Sequence, residues 1–238
     1  MGLVDCALLN QGAGLSAVPN LARRAVGAIT GGVWAANGGV RLTTNTDKIE
    51  FATPAVSLAP GVTYAVYGDR FSTPTNNARA IMYGPDRSNG ALVDNIGTVK
   101  LVMNNLTVGA PTTIILPPDV PDVLLAVTCT VGGQTVSFLN GRWDVGTSGM
   151  GALPSLVAGF FRIGVDDASE NLPGTYHMAC VWNRALTVPE LQWLQVEPYA
   201  FITPPGPPIL YFDLGASSIP SPPAPMTSRR FTLRDGVF

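Results

Sequence analysis

The chain has 238 residues and a formal net charge of −2, from 14 Lys and Arg against 16 Asp and Glu. Charged residues make up only 13%, where an ordinary globular protein carries about 25%. With 46% apolar residues, 26 Gly and 21 Pro, the composition excludes a wholly disordered chain, a helical bundle and a basic-patch nucleic-acid binder.

The first segment, MGLVDCALLNQGAG, carries Asp5 and no basic cluster, so a Sec signal is not expected. Cys6 stands where a myristoylation signal would carry Ser or Thr. No apolar run is long enough to span a membrane, and no membrane partner is expected. Gly31-Gly32 and Gly38-Gly39 read as turns on either side of Trp34. Short runs rich in β-branched and aromatic residues then follow: 62–67, 79–83, 98–103 and 112–116. Val123 to Val131 leads into Gly132-Gly133, and Thr135 to Leu139 leads into Asn140-Gly141. Both pairs are hairpin turns, because their central residues must adopt positive φ. The result is a three-stranded meander over 123–145. Two more strands are expected at 160–163 and 175–182. Many short strands with Gly, Pro and Asn turns predict an all-β chain, a jelly-roll β-sandwich.

One short helix closes this region. Thr187 and Glu190 form a capping box, with Pro189 in the first turn. Val188, Leu191 and Leu194 make one apolar stripe. The helix is expected to end before Pro198 and to lie as a lid against the end of the sandwich. Residues 1–202 are therefore read as the folded domain. Residues 203–238 hold eight prolines and read as an extended docking tail. Its expected assembly anchors are Ile209, Leu210, Tyr211 and Phe212, then Phe231, Leu233 and Phe238.

Cys6, Cys129 and Cys180 are an odd, widely spaced set. They read as small core fillers, not a disulfide framework or a zinc site.

The segment from Gly174 to Leu194, with the turn Asn183-Arg184-Ala185-Leu186-Thr187, resembles the C-terminal signature of laminin-G-like jelly rolls. These belong to the concanavalin A-like lectin/glucanase superfamily. The segments 39–51, 124–128, 136–142 and 161–164 fall in that family's order, so the resemblance spans about 1–200. Glu197-Pro-Tyr-Ala-Phe-Ile-Thr-Pro-Pro and the Pro-rich tail resemble the members encoded by bacteriophages and prophages. The resemblance implies a virion structural protein: head decoration, head fibre or tail-associated. Its partners would be further copies of the chain and other virion proteins. The alternative it implies is a carbohydrate-binding module for bacterial surface glycans, on a virion or extracellular.

Departures from the family are equally specific. His177 and Met178 occupy positions where relatives often carry acidic residues. With four glutamates in all and no Glu-x-Asp cluster, a paired-carboxylate glycosidase has little material, and no enzyme activity is expected. His177, the single histidine, reads as structural, on one strand face with Thr175 and Ala179 and opposite Tyr176, Met178 and Cys180. Asp166, Asp167 and Glu170 form the densest acidic loop and are the calcium candidates. No other cofactor is expected. Trp34 and Trp143, followed by Tyr67 and Tyr83, are the candidates for a sugar-stacking platform.

Overall fold

Asn140 and Gly141 both hold positive φ, 46° and 79°, so the strongest turn signal in the sequence is a turn in the computed structural model. The structure describes residues 2–9, 17–23, 25–36, 38–44, 46–58, 61–74, 78–84, 89–94, 97–103, 106–108, 114–149, 155–156, 158–164, 172–199 and 201. The chain runs through β1 (Leu3–Leu8), β2 (Ala17–Asn20), β3 (Ala25–Thr30), β4 (Val33–Trp34), β5 (Val40–Leu42), β6 (Lys48–Thr53), β7 (Val56–Ser57), β8 (Gly61–Asp69) and β9 (Ala78–Gly84). It continues through β10 (Gly90–Val93), β11 (Val99–Met103), β12 (Leu106–Val108), β13 (Val123–Thr130), β14 (Gln134–Leu139), β15 (Arg142–Gly149), β16 (Ser155–Leu156), β17 (Gly159–Gly164), β18 (Gly174–Trp182) and the helix α1 (Val188–Val196). Contacts within the chain group Met1–Thr203 as one compact unit and Pro204–Phe238 as another. The second unit lies outside the described residues, as do all seven expected anchors.

Sixteen strands among the described residues pair into one antiparallel sheet that folds over itself. Its order is β12-β11-β10-β9-β17-β6-β3-β2-β1-β18-β8-β13-β14-β15, with β4 and β5 attached to β18. The two halves face each other, with β11 against β13 and β14, and β9 and β10 against β8. This is the expected all-β sandwich. The expected strand at 112–116 is different: among its described residues, Ile115 makes only an isolated bridge to Thr98.

The main core lies between the two layers. Phe51 stacks on Phe161 at 5.4 Å, and Phe71 meets Tyr176 edge-on at 5.1 Å. A second cluster covers the outer face of β1, β18, β8, β13 and β14. There Leu191 and Leu194 of α1 bury against Leu124, Phe138 and Trp182. The helix therefore lies across a sheet face, not over the sandwich end as the sequence suggested. The reason is the register of its stripe with an apolar outer face. β18 is buried along its whole length because core covers one side and helix the other, and its sequence shows no alternation as a result.

The turn before the helix is held from β8. The Thr63 hydroxyl accepts from the Leu186 amide at 2.8 Å and donates to the Arg184 carbonyl at 2.9 Å. Arg184 then grips Glu190 with both terminal nitrogens, at 3.0 and 2.7 Å. The expected capping box is present: Thr187 Oγ1 accepts from the Glu190 amide, and Glu190 Oε2 accepts from the Thr187 amide.

All three cysteines are free and buried. Cys6 and Cys180 are direct cross-strand partners, a proximity their distance in sequence concealed. No helix among the described residues is long and apolar enough to cross a membrane.

Candidate functional site

His177 interrupts the pairing of β18. Tyr176 pairs with Gly68 and Met178 pairs with Tyr67, so His177 is the extra residue of a β-bulge. Along the other edge of β18, residues 174–176 pair with β5 and residues 178–182 pair with β1. The bulge corrects the expected face assignment. Tyr176, Ala179 and Val181 belong to the inner core, whereas Met178, Cys180 and Trp182 face the helix. One added residue shifts the two-residue period by one.

The bulged imidazole is buried and bonded. Its Nε2 lies 2.8 Å from Asp69 Oδ2. Asp69 Oδ1 accepts from the Asp122 amide at 2.8 Å, and Tyr67 Oη donates to the Asp122 carboxylate at 2.6 Å. Burial pushes the Asp69 carboxyl upward, but the Asp122 amide and His177 outweigh it and hold the group below its ordinary 3.8. Gly39 sits directly against this imidazole: a Cβ there would lie 2.7 Å from His177 Nδ1. That close approach lets the β4–β5 hairpin close over the bulge.

The hairpin carries Trp34 into the wall of a cleft of about 1010 Å³. Asp69 pairs with Thr175, and Gly68 with Val123, so this is the sheet end where β8 stops and β13 and β18 start. Trp34 is half-buried, with Arg41, Arg70, Asp119, Thr43 and Thr175 among the residues around the cleft. Arg41 and Arg70 are exposed, and among the described residues neither makes a salt bridge, although the Arg70 charge helps to hold the neighbouring Asp69 carboxyl low. Arg70, Asp119 and Asp122 hold φ of 53°, 58° and 53°. Backbone bonds from Arg70 to Val120 and from Asp119 to Phe71 keep them there. Non-glycine residues in this region cost of order 1–3 kcal/mol each and gather at ligand sites.

The cleft thus combines an aromatic wall with two cations, the two carboxylates of Asp69 and Asp119, and several hydroxyls. A sugar ring has an apolar C–H face and a rim of hydroxyls, which such a mixture suits. The other candidates are elsewhere. Trp143 is 51% exposed on β15, opposite Phe138, and does not line the cleft. Tyr83 is fully buried, and its hydroxyl donates to Asp5 at 2.6 Å. Asp5 also pairs with Arg23 at 2.8 Å, and its burial raises the carboxyl despite these partners. The calcium candidates Asp166, Asp167 and Glu170 lie outside the described residues. Among the described residues no group of three metal-ligating side chains occurs. Arg41, Arg70 and Asp119 were not legible as a site, because each stands alone in a different segment. The paired glycines before Arg41 were the nearest signal.

No protein-family model matches the chain, and no curated protein does. Solved structures do. A Trypanosoma rangeli sialidase in complex with the inhibitor DANA is similar with a TM-score of 0.61 at 14% identity, over 84% of this chain and 33% of that one. The receptor-binding domain of a botulinum neurotoxin of C/D mosaic serotype is similar with a TM-score of 0.54 at 11% identity, over 82% of this chain and 51% of that one. The shared fold is an antiparallel β-sandwich. The chain spans a third of the sialidase and about half of the toxin structure. The expectation that excluded an enzyme is overturned, because chains that are sialidases contain this same sandwich. At 14–15% identity the likeness shows the fold alone and carries no activity across.

Proposed function

We propose that the chain is a laminin-G-like carbohydrate-binding domain that attaches to bacterial surface glycans through the Trp34 cleft. The observation that carries this reading is the half-buried indole set among Arg41, Arg70 and Asp119. The two exposed guanidinium groups favour a glycan bearing acidic groups, since Arg binds carboxylates with a planar fork of donors. The fold neighbours support a binding role: one is a receptor-binding domain, and one sialidase structure holds sialic acid. The setting we propose is a bacteriophage virion, with 203–238 docking on neighbouring subunits. The low charge content supports it, because neutral surfaces bury without desolvating many ions.

A glycan array probed with the wild-type chain and with Trp34→Ala tests the reading. Binding of bacterial glycans should be lost in Trp34→Ala and kept in Trp143→Ala. Equal binding by the wild type and Trp34→Ala, or no binding by a folded wild type, would sink it.

A further inference from the structure

Cys6 and Cys180 face each other across the pairing of the first strand with the last. Their neighbours on the ladder, Asp5 with Val181 and Ala7 with Ala179, are in register on both sides. Directly opposed residues of antiparallel strands have Cα atoms about 4.5–5.5 Å apart, which lies within the range a disulfide spans. Both side chains point into the cluster beneath α1, and the two Sγ atoms are 2.6 Å apart. Cys129 is in the other cluster, with its sulfur beside the carbonyls of Thr130 and Gly133. It does not compete for either partner.

We propose that Cys6 and Cys180 are a disulfide site that covalently fastens β1 to β18. The oxidant is a small disulfide such as oxidised glutathione, acting before β1 is sealed under the helix, since both thiols are fully buried once folded. A thiolate of one cysteine attacks the glutathione disulfide and releases one glutathione thiolate. The second cysteine's thiolate then displaces the other glutathione. In that second step the Cys6–Cys180 bond forms as the cysteine–glutathione mixed disulfide breaks. Two electrons pass to glutathione, which leaves as two thiols carrying the two protons. The closed loop joins residues 174 positions apart and encloses nearly the whole sandwich. A loop of that length restricts the unfolded chain strongly, so the bridge raises the Tm by about 10 °C.

The test refolds the full chain in a reduced/oxidised glutathione buffer, denatures it with excess iodoacetamide and measures intact mass and linked peptides. One alkylated thiol, on Cys129, with the Cys6 and Cys180 peptides joined, is expected. Cys129→Ala should keep the bridge and show no alkylated thiol. Three alkylated thiols after oxidative refolding, or a bridge that includes Cys129, would overturn the proposal. A bridge that forms without raising the Tm above that of the reduced chain would overturn its fastening role.

Discussion

His177 Nε2 lies 2.8 Å from Asp69 Oδ2 where β18 exchanges β5 for β1 as its edge partner. This contact joins the bulge, the end of β8 and, through Gly39, the hairpin that bears Trp34. Asp69→Asn keeps the shape and removes the charge. It should cost about 1.5–3 kcal/mol at neutral pH, the range for hydrogen bonds to a charged group. Because the folded carboxyl lies below its ordinary 3.8, its contribution is present above about pH 4. It is lost as pH falls through the folded value. Urea unfolding at successive pH values should therefore show wild type and Asp69→Asn converging in acid. A constant difference down to about pH 2 would contradict this.

The helix start makes a separate prediction. Its fork with Arg184, with help from the Thr187 cap, holds the Glu190 carboxyl at about 2, against an ordinary 4.5. The contribution is present above about pH 4.5 and fades as pH drops towards about 2. The pair is more than a third exposed, so solvent screening keeps its share small. Thr187→Ala should cost about 1 kcal/mol through the lost cap. Thermal unfolding followed by circular dichroism would measure it.

In the cleft, Arg41→Ala and Arg70→Ala should each weaken binding of an acidic glycan about 10- to 100-fold. The loss should shrink as salt is raised. Titration calorimetry at two ionic strengths would decide it. Loss of binding that ignores salt would argue for a neutral ligand.

Gly27 lies beneath the Phe51 ring, and an added Cβ would overlap the ring atoms. Phe51 is stacked on Phe161, so the ring has little room to yield. Gly27→Ala should destabilise by about 1–3 kcal/mol. A chemical denaturation midpoint unchanged from wild type would refute the overlap.

The docking role expected of 203–238 has its own test. A chain ending at 202 should unfold with the same midpoint as the whole chain yet fail to enter particles. Normal incorporation of the shortened chain would end the anchor reading.

Much of the fold was written locally. The Asn140-Gly141 turn, the meander around it and the Thr187–Glu190 cap depend on residues close in sequence, and each formed where those residues stand. Strand content followed from β-branched runs separated by turn residues. The face of β18 did not follow, because a bulge is set by what both neighbours of the strand require and leaves no periodic mark. The site was legible only at Trp34. Arg41, Arg70 and Asp119 meet it because β5, the end of β8 and the loop before β13 arrive at one sheet end.

The sequence by itself determined a chain poor in charge, with its short strands, its tight turns and its one capped helix. Which pieces of its surface form a cleft, and which cysteines face each other, was decided only by tertiary structure. The physical reason is range: turns and caps close over a few residues, whereas the Asp69–His177 and Cys6–Cys180 contacts join positions 108 and 174 apart. Such contacts exist only once the sheet has chosen its partners and register.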